Sequence, residues 1–113
     1  MIDLAFQWAH EADPDALLFY NDFSAEATNA KSERVYDLVK GMVERNIPID
    51  GVGMQFHVEL GQMPPLDQVA ENMKRLGELG LQVHITELDI RIPEPATPEM
   101  LEQQAQDYRA DLR

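Results

Sequence analysis

The chain has 113 residues, 44% of them apolar, and a formal net charge of −12, so it can build one domain with a real core and is not composed like a disordered segment. Its acidity argues against nucleic acid and anionic membrane surfaces as partners, since both demand basic patches, whereas a neutral ligand is compatible with it. The absence of cysteine excludes disulfide scaffolds, zinc–thiolate sites and thiol catalysis, and no apolar run approaches the roughly 20 residues of a spanning helix.

Residues 2–12 carry Leu4, Ala5, Trp8 and Ala12 at helical spacing, and Trp8 is expected in the core rather than as a sugar platform. The first eleven residues hold two acids and neither Lys nor Arg, so no secretory signal is read there. The turn D-P-D-A (13–16) closes this helix, and A-L-L-F-Y-N-D (16–22) reads as a short buried strand ending in polar groups. The next helix has Ser32 as its expected cap and an apolar stripe of Val35, Leu38, Val39, Met42 and Val43. The second strand is G-V-G-M-Q-F-H (51–57). A third helix follows M-P-P, with Leu66, Val69, Ala70, Met73 and Leu76 on one face and Gly80 as its stop signal. The third strand covers 81–90, and Thr97–Pro98 opens a last helix with the stripe Leu101, Gln104, Ala105, Tyr108 and Leu112.

Strands alternating with helices predict right-handed βαβ units and a parallel sheet. The strands start near residues 16, 50 and 82, a period that fits a (β/α)₈ barrel of roughly thirty residues per unit and also fits a small doubly wound module. Three parallel strands are few for a finished domain, and the chain begins inside a helix. The expected architecture is therefore α/β, a fragment of a (β/α)₈ TIM barrel: about three βα units plus a leading helix.

In parallel α/β folds the chemistry lies at the carboxyl ends of strands. Here those ends carry Tyr20, Asn21 and Asp22, then Gln55 and His57, then Glu87 and Asp89. Strict alternation puts Gln55 and His57 on one face of their strand, and Val83, Ile85, Glu87 and Asp89 together on one face of theirs. His57 is the one converging group able to carry positive charge. Singly, each residue has an ordinary structural explanation as a satisfied strand-end histidine, a solvated acid or a turn former; their coincidence at successive strand ends favours a site. His84 and Glu87 are expected on opposite faces, no H-x-x-x-H or paired Asp motif appears, and neither a metal nor another cofactor is expected. There is also no glycine-rich phosphate loop and no G-x-S-x-G elbow.

The blocks A-F-Q-W-A-H-E-A-D-P-D-A-L-L-F-Y-N-D-F (5–23), P-I-D-G-V-G-x-Q-x-H (48–57) and I-T-E-L-D (85–89) resemble, in order and nearly end to end, the glycoside hydrolase family 10 xylanases. The resemblance implies a retaining endo-1,4-β-xylanase, of which residues 1–113 would run from the fourth to the seventh helix of the barrel. It implies that Glu87 is the nucleophile, that His57 hydrogen-bonds it, that Asp89 supports His57, and that Gln55 and Asn21 contact bound sugar. It also implies xylan or xylo-oligosaccharide as substrate, a secreted enzyme, and a need for the remainder of the barrel in cis. The family's acid/base glutamate follows an asparagine; no Asn-Glu dipeptide occurs here, so that residue is expected outside the chain. Where the family commonly has N-D-Y-N, this chain has Asn21-Asp22-Phe23-Ser24. A noncatalytic carbohydrate-binding or decayed barrel fragment is the alternative reading.

Overall fold

The computed structural model describes residues 1–111. Its elements are α1 (Ile2–Ala12), β1 (Phe19–Phe23), α2 (Ala30–Glu44), β2 (Gly51–Glu59), α3 (Leu66–Glu78), β3 (Gln82–Arg91) and α4 (Pro98–Asp111). The three strands form one parallel sheet in the order β1-β2-β3. Each is followed by a helix, as the alternating pattern predicts; Leu112 of the expected last stripe lies outside the described residues.

β1 starts later than its apolar run. The Leu18 carbonyl accepts the N–H groups of Asp50 and Gly51 at 2.8 and 3.2 Å, while the Leu18 N–H donates to the Asp50 carboxylate at 2.7 Å. These bonds occupy the Leu18 backbone polar groups just ahead of the ladder, which begins at Phe19 opposite Gly51. The cap of α2 also differs from expectation. Asn29, with an extended backbone, is the N-cap and accepts the Ser32 N–H at 2.8 Å, and the Ser32 hydroxyl accepts the Asn29 N–H at 2.8 Å. Ser32 thus closes a reciprocal capping box from its third position instead of capping by itself.

One face of the sheet carries the core. Val52, Met54 and Phe56 of β2 are buried together with Val35, Val39 and Met42 of α2 and Val69 and Leu76 of α3. Gly80, at φ +86°, ends α3 in the left-handed region that glycine adopts without a Cβ penalty. The hydroxyl of Thr97 accepts the Met100 N–H at 3.2 Å and so caps α4. Gln104 and Tyr108 of that helix bind the carbonyl and N–H of Ile90, tying α4 to the end of β3. α1 is different: it buries no residue, and Trp8, expected in a core, is 63% exposed. The helix is tethered by the two-pronged Asp3–Arg45 ion pair to the end of α2.

Candidate active site

The site is built on the other face of the sheet, at the carboxyl ends of the strands. Alternation from Gly53 places Gln55 and His57 there on β2. On β3 alternation fails. Met54 pairs with Ile85 but Gln55 pairs with Glu87, so Thr86 is an extra residue, a β-bulge. Val83 and Ile85 therefore turn toward the helix layer, where Val83 packs against the core and Ile85, partly exposed, lines an open hollow together with Phe56 and Val69. Thr86 and Glu87 both turn to the opposite face, followed there by Asp89. The expectation that Val83, Ile85, Glu87 and Asp89 share one face is corrected by this bulge, as is the expected separation of His84 from Glu87. Glu87 and Asp89 do share a face, and it is the face of His57.

Three side chains then meet in one row. His57 Nε2 lies 2.9 Å from Glu87 Oε2, and His57 Nδ1 lies 2.5 Å from Asp89 Oδ2. Ionised carboxylates only accept hydrogen bonds, so satisfying both requires a proton on each ring nitrogen. Asp89 first, and Glu87 after it, accordingly hold the imidazole pKa above its ordinary value, against the opposing pull of desolvation. The second oxygen of Glu87, Oε1, faces the Asn21 amide nitrogen at 3.4 Å. Each carboxylate oxygen of Glu87 thus has its own nitrogen donor, from β2 on one side and β1 on the other. The side chains remain open to solvent, Glu87 at 45% and His57 at 42%, so a ligand can reach them. An open hollow of about 350 Å³ beside them is lined by His57, Val58, Glu59, Gln62, Asp89 and Arg91.

Gln55 sits in this row by register, between Phe23 and Glu87. Tyr20 and Asp22 do not join it. They face the helix layer, where Asp22 binds Lys31 Nζ at 2.8 Å and accepts from the Tyr20 hydroxyl at 3.0 Å. Burial pushes the Asp22 carboxyl up, but Lys31, the Phe23 N–H and the Tyr20 hydroxyl together outweigh it and hold the pKa below the ordinary value. Among the described residues no group of three His, Asp or Glu side chains is gathered to hold a metal. His84, although on the Glu87 face, has its ring against Phe19 with centroids 4.6 Å apart.

Two groups near the site escape a reading by motif. Asn72 of α3, 1% exposed, donates to the carbonyls of Ala25 and Glu26 at 2.7 and 3.1 Å and accepts from Arg75 at 2.8 Å, clamping the loop between β1 and α2. Thr86 donates to the Asn21 amide oxygen at 2.6 Å. Neither stands out in a stripe or a strand-end pattern; for Asn72, the signal is a polar residue three after Val69 and four before Leu76 on an otherwise apolar helix face.

The sequence profile of glycosyl hydrolase family 10 matches residues 1–113. An endo-1,4-β-xylanase from Agaricus bisporus is 44% identical over 112 residues, covering 99% of this chain and 33% of the relative. Among solved structures, xylanase 10B from Thermotoga maritima superposes with a TM-score of 0.88 at 46% identity, covering 93% of this chain and 32% of that one. The intracellular xylanase of Thermoanaerobacterium saccharolyticum, crystallised with xylotriose, superposes at 0.90 with 35% identity, covering 98% and 34%. The chain thus spans about a third of the length of these proteins, and its strands and helices are a segment of their (β/α)₈ barrel.

Proposed function

This chain belongs to glycosyl hydrolase family 10, and on that footing we propose that it carries the nucleophile half of a retaining endo-1,4-β-xylanase, with the acid/base carboxyl group on another part of the same protein. Its α1 to α4 then correspond to the fourth to seventh barrel helices. The observation that carries the reading is the double hold on Glu87, with His57 at one oxygen and Asn21 at the other. A nucleophilic carboxylate must stay ionised and must not swing away from the anomeric carbon, and donors from two flanking strands serve both needs.

In the first step an oxygen of Glu87 forms a bond to the anomeric carbon as the glycosidic C–O bond breaks, and the departing oxygen takes a proton from the acid/base group. In the second step water, deprotonated by that same group, displaces Glu87 and restores the original configuration. Such a pair of carboxyl groups stands about 5–5.5 Å apart, and Asp89 is not its second member, because it is spent on His57 Nδ1. Protonated between two carboxylates, His57 offsets their charge and keeps Glu87 directed at the sugar. Gln55 and Asn21 face the ligand from the strands beside it. Crystal complexes of structural neighbours with xylobiose, xylotriose and xylotetraose support xylo-oligosaccharides as the ligand class.

In the full-length protein, Glu87→Gln is expected to lower turnover of xylan by roughly 10³-fold or more; near-native turnover rejects Glu87 as the nucleophile. The 113-residue chain alone is expected to release no reducing sugar from xylan, and measurable release contradicts the division of the catalytic pair.

A further inference from the structure

The bulge on β3 does more than turn Glu87 over. It adds a second consecutive side chain, Thr86, to the site face, and that side chain reaches across β2 to β1. The Thr86 hydroxyl donates to Asn21 Oδ1 at 2.6 Å, with the Met54 carbonyl at 3.3 Å as its other acceptor. The path across β2 is open only because residue 53 is glycine: a Cβ there would lie 2.5 Å from Asn21 Oδ1 and 2.7 Å from Thr86 Cγ2. A primary amide has two ends of opposite character. With its oxygen engaged by Thr86, Asn21 presents its nitrogen to Glu87 Oε1; rotated by half a turn, it would present its oxygen to a carboxylate, and the two acceptors would repel.

We propose that Thr86 is a positioning residue for the reaction: through the amide of Asn21 it keeps a donor on the free oxygen of Glu87, and Gly53 is the gap that lets it do so. Bulges beside active sites commonly re-aim one side chain; here the extra residue also orients the partner of the one it re-aims. This inference rests on the assignment of Glu87 as nucleophile.

The test uses the full-length protein and an aryl β-xylobioside. Thr86→Val keeps the shape and removes the hydroxyl; it is expected to lower kcat about tenfold with KM changed less than twofold. Thr86→Ser restores the hydroxyl and is expected to recover kcat to within about threefold of the parent. In an Asn21→Ala background, Thr86→Val is expected to cost nothing further, since the group it orients is gone. A loss that Thr86→Ser fails to rescue, or one of equal size with and without Asn21, overturns the proposal and leaves Thr86 as a packing residue. Labelling the unmodified enzyme with a 2-fluoro xylobioside separates this from the underlying assignment: the sugar is expected on Glu87, and a label on another residue removes the premise, whatever the Thr86 variants do.

Discussion

On its helix-facing side the sheet buries Val52, Met54 and Phe56, in strict alternation along β2, and Ile90, beyond the bulge on β3, almost completely. On the other side it carries Asn21, His57, Thr86, Glu87 and Asp89, open to solvent and joined by hydrogen bonds, with a bulge interrupting the alternation. The apolar face is held by area and shape, which many residues share. The polar face is held by a few directed bonds, each with one donor and one acceptor. Substitutions on the first face should therefore act on stability, and those on the second should act on the reaction, with little overlap between the two.

The sharpest way to break that division is Phe56→Ala in the full-length protein. Phe56 is 1% exposed, and the cavity should cost about 3–5 kcal/mol in chemical denaturation while any protein that remains folded keeps its turnover per molecule. A variant that keeps its stability but loses turnover would merge the two faces. Next in size is Asp89→Asn, which removes a charge from His57 without removing its hydrogen bond. A fall of roughly tenfold or more in turnover is expected with only a small drop in melting temperature, checked by steady-state kinetics and calorimetry side by side.

Asn72→Ala probes the border. It would orphan the buried carbonyls of Ala25 and Glu26, an expected loss of about 1–3 kcal/mol measured by urea unfolding. The smallest effect is that of pH. Asp89 and Glu87 raise the His57 pKa in the folded protein, so protonation favours folding. That contribution is fully present below the ordinary imidazole pKa of about 6.5 and is lost as pH rises through the raised folded value. The melting-temperature difference between the parent and His57→Gln should shrink on that alkaline side, and a difference that grows there reverses the sign.

The same contrast explains what could be read from residues alone. The apolar face was legible because its signal is periodic, as in the stripes of α2 and α3, and the stop at Gly80 and the opening of α4 at Thr97–Pro98 follow local rules as well. The meeting of His57, Glu87 and Asp89 was legible from their strand-end positions. The face of Val83 and Ile85 was not, because a single inserted residue inverts parity and bulges are rare in parallel ladders. Nor was the cap of α2, where Asn29 and Ser32 share the work and only backbone dihedrals decide which is N-cap. Trp8 marks a different limit: helical spacing identifies an apolar face but says nothing of what covers it, and α1 buries none of its residues here.

The central claim, that Glu87 is the attacking carboxylate, is tested most directly by removing it and supplying a substitute. In the full-length Glu87→Ala variant, hydrolysis of an aryl β-xylobioside should fall by roughly 10³-fold or more, and added azide should restore release of the aryl group by attacking the anomeric carbon from the vacated side, giving the α-glycosyl azide. Undiminished hydrolysis, or a loss that azide does not rescue, would contradict it.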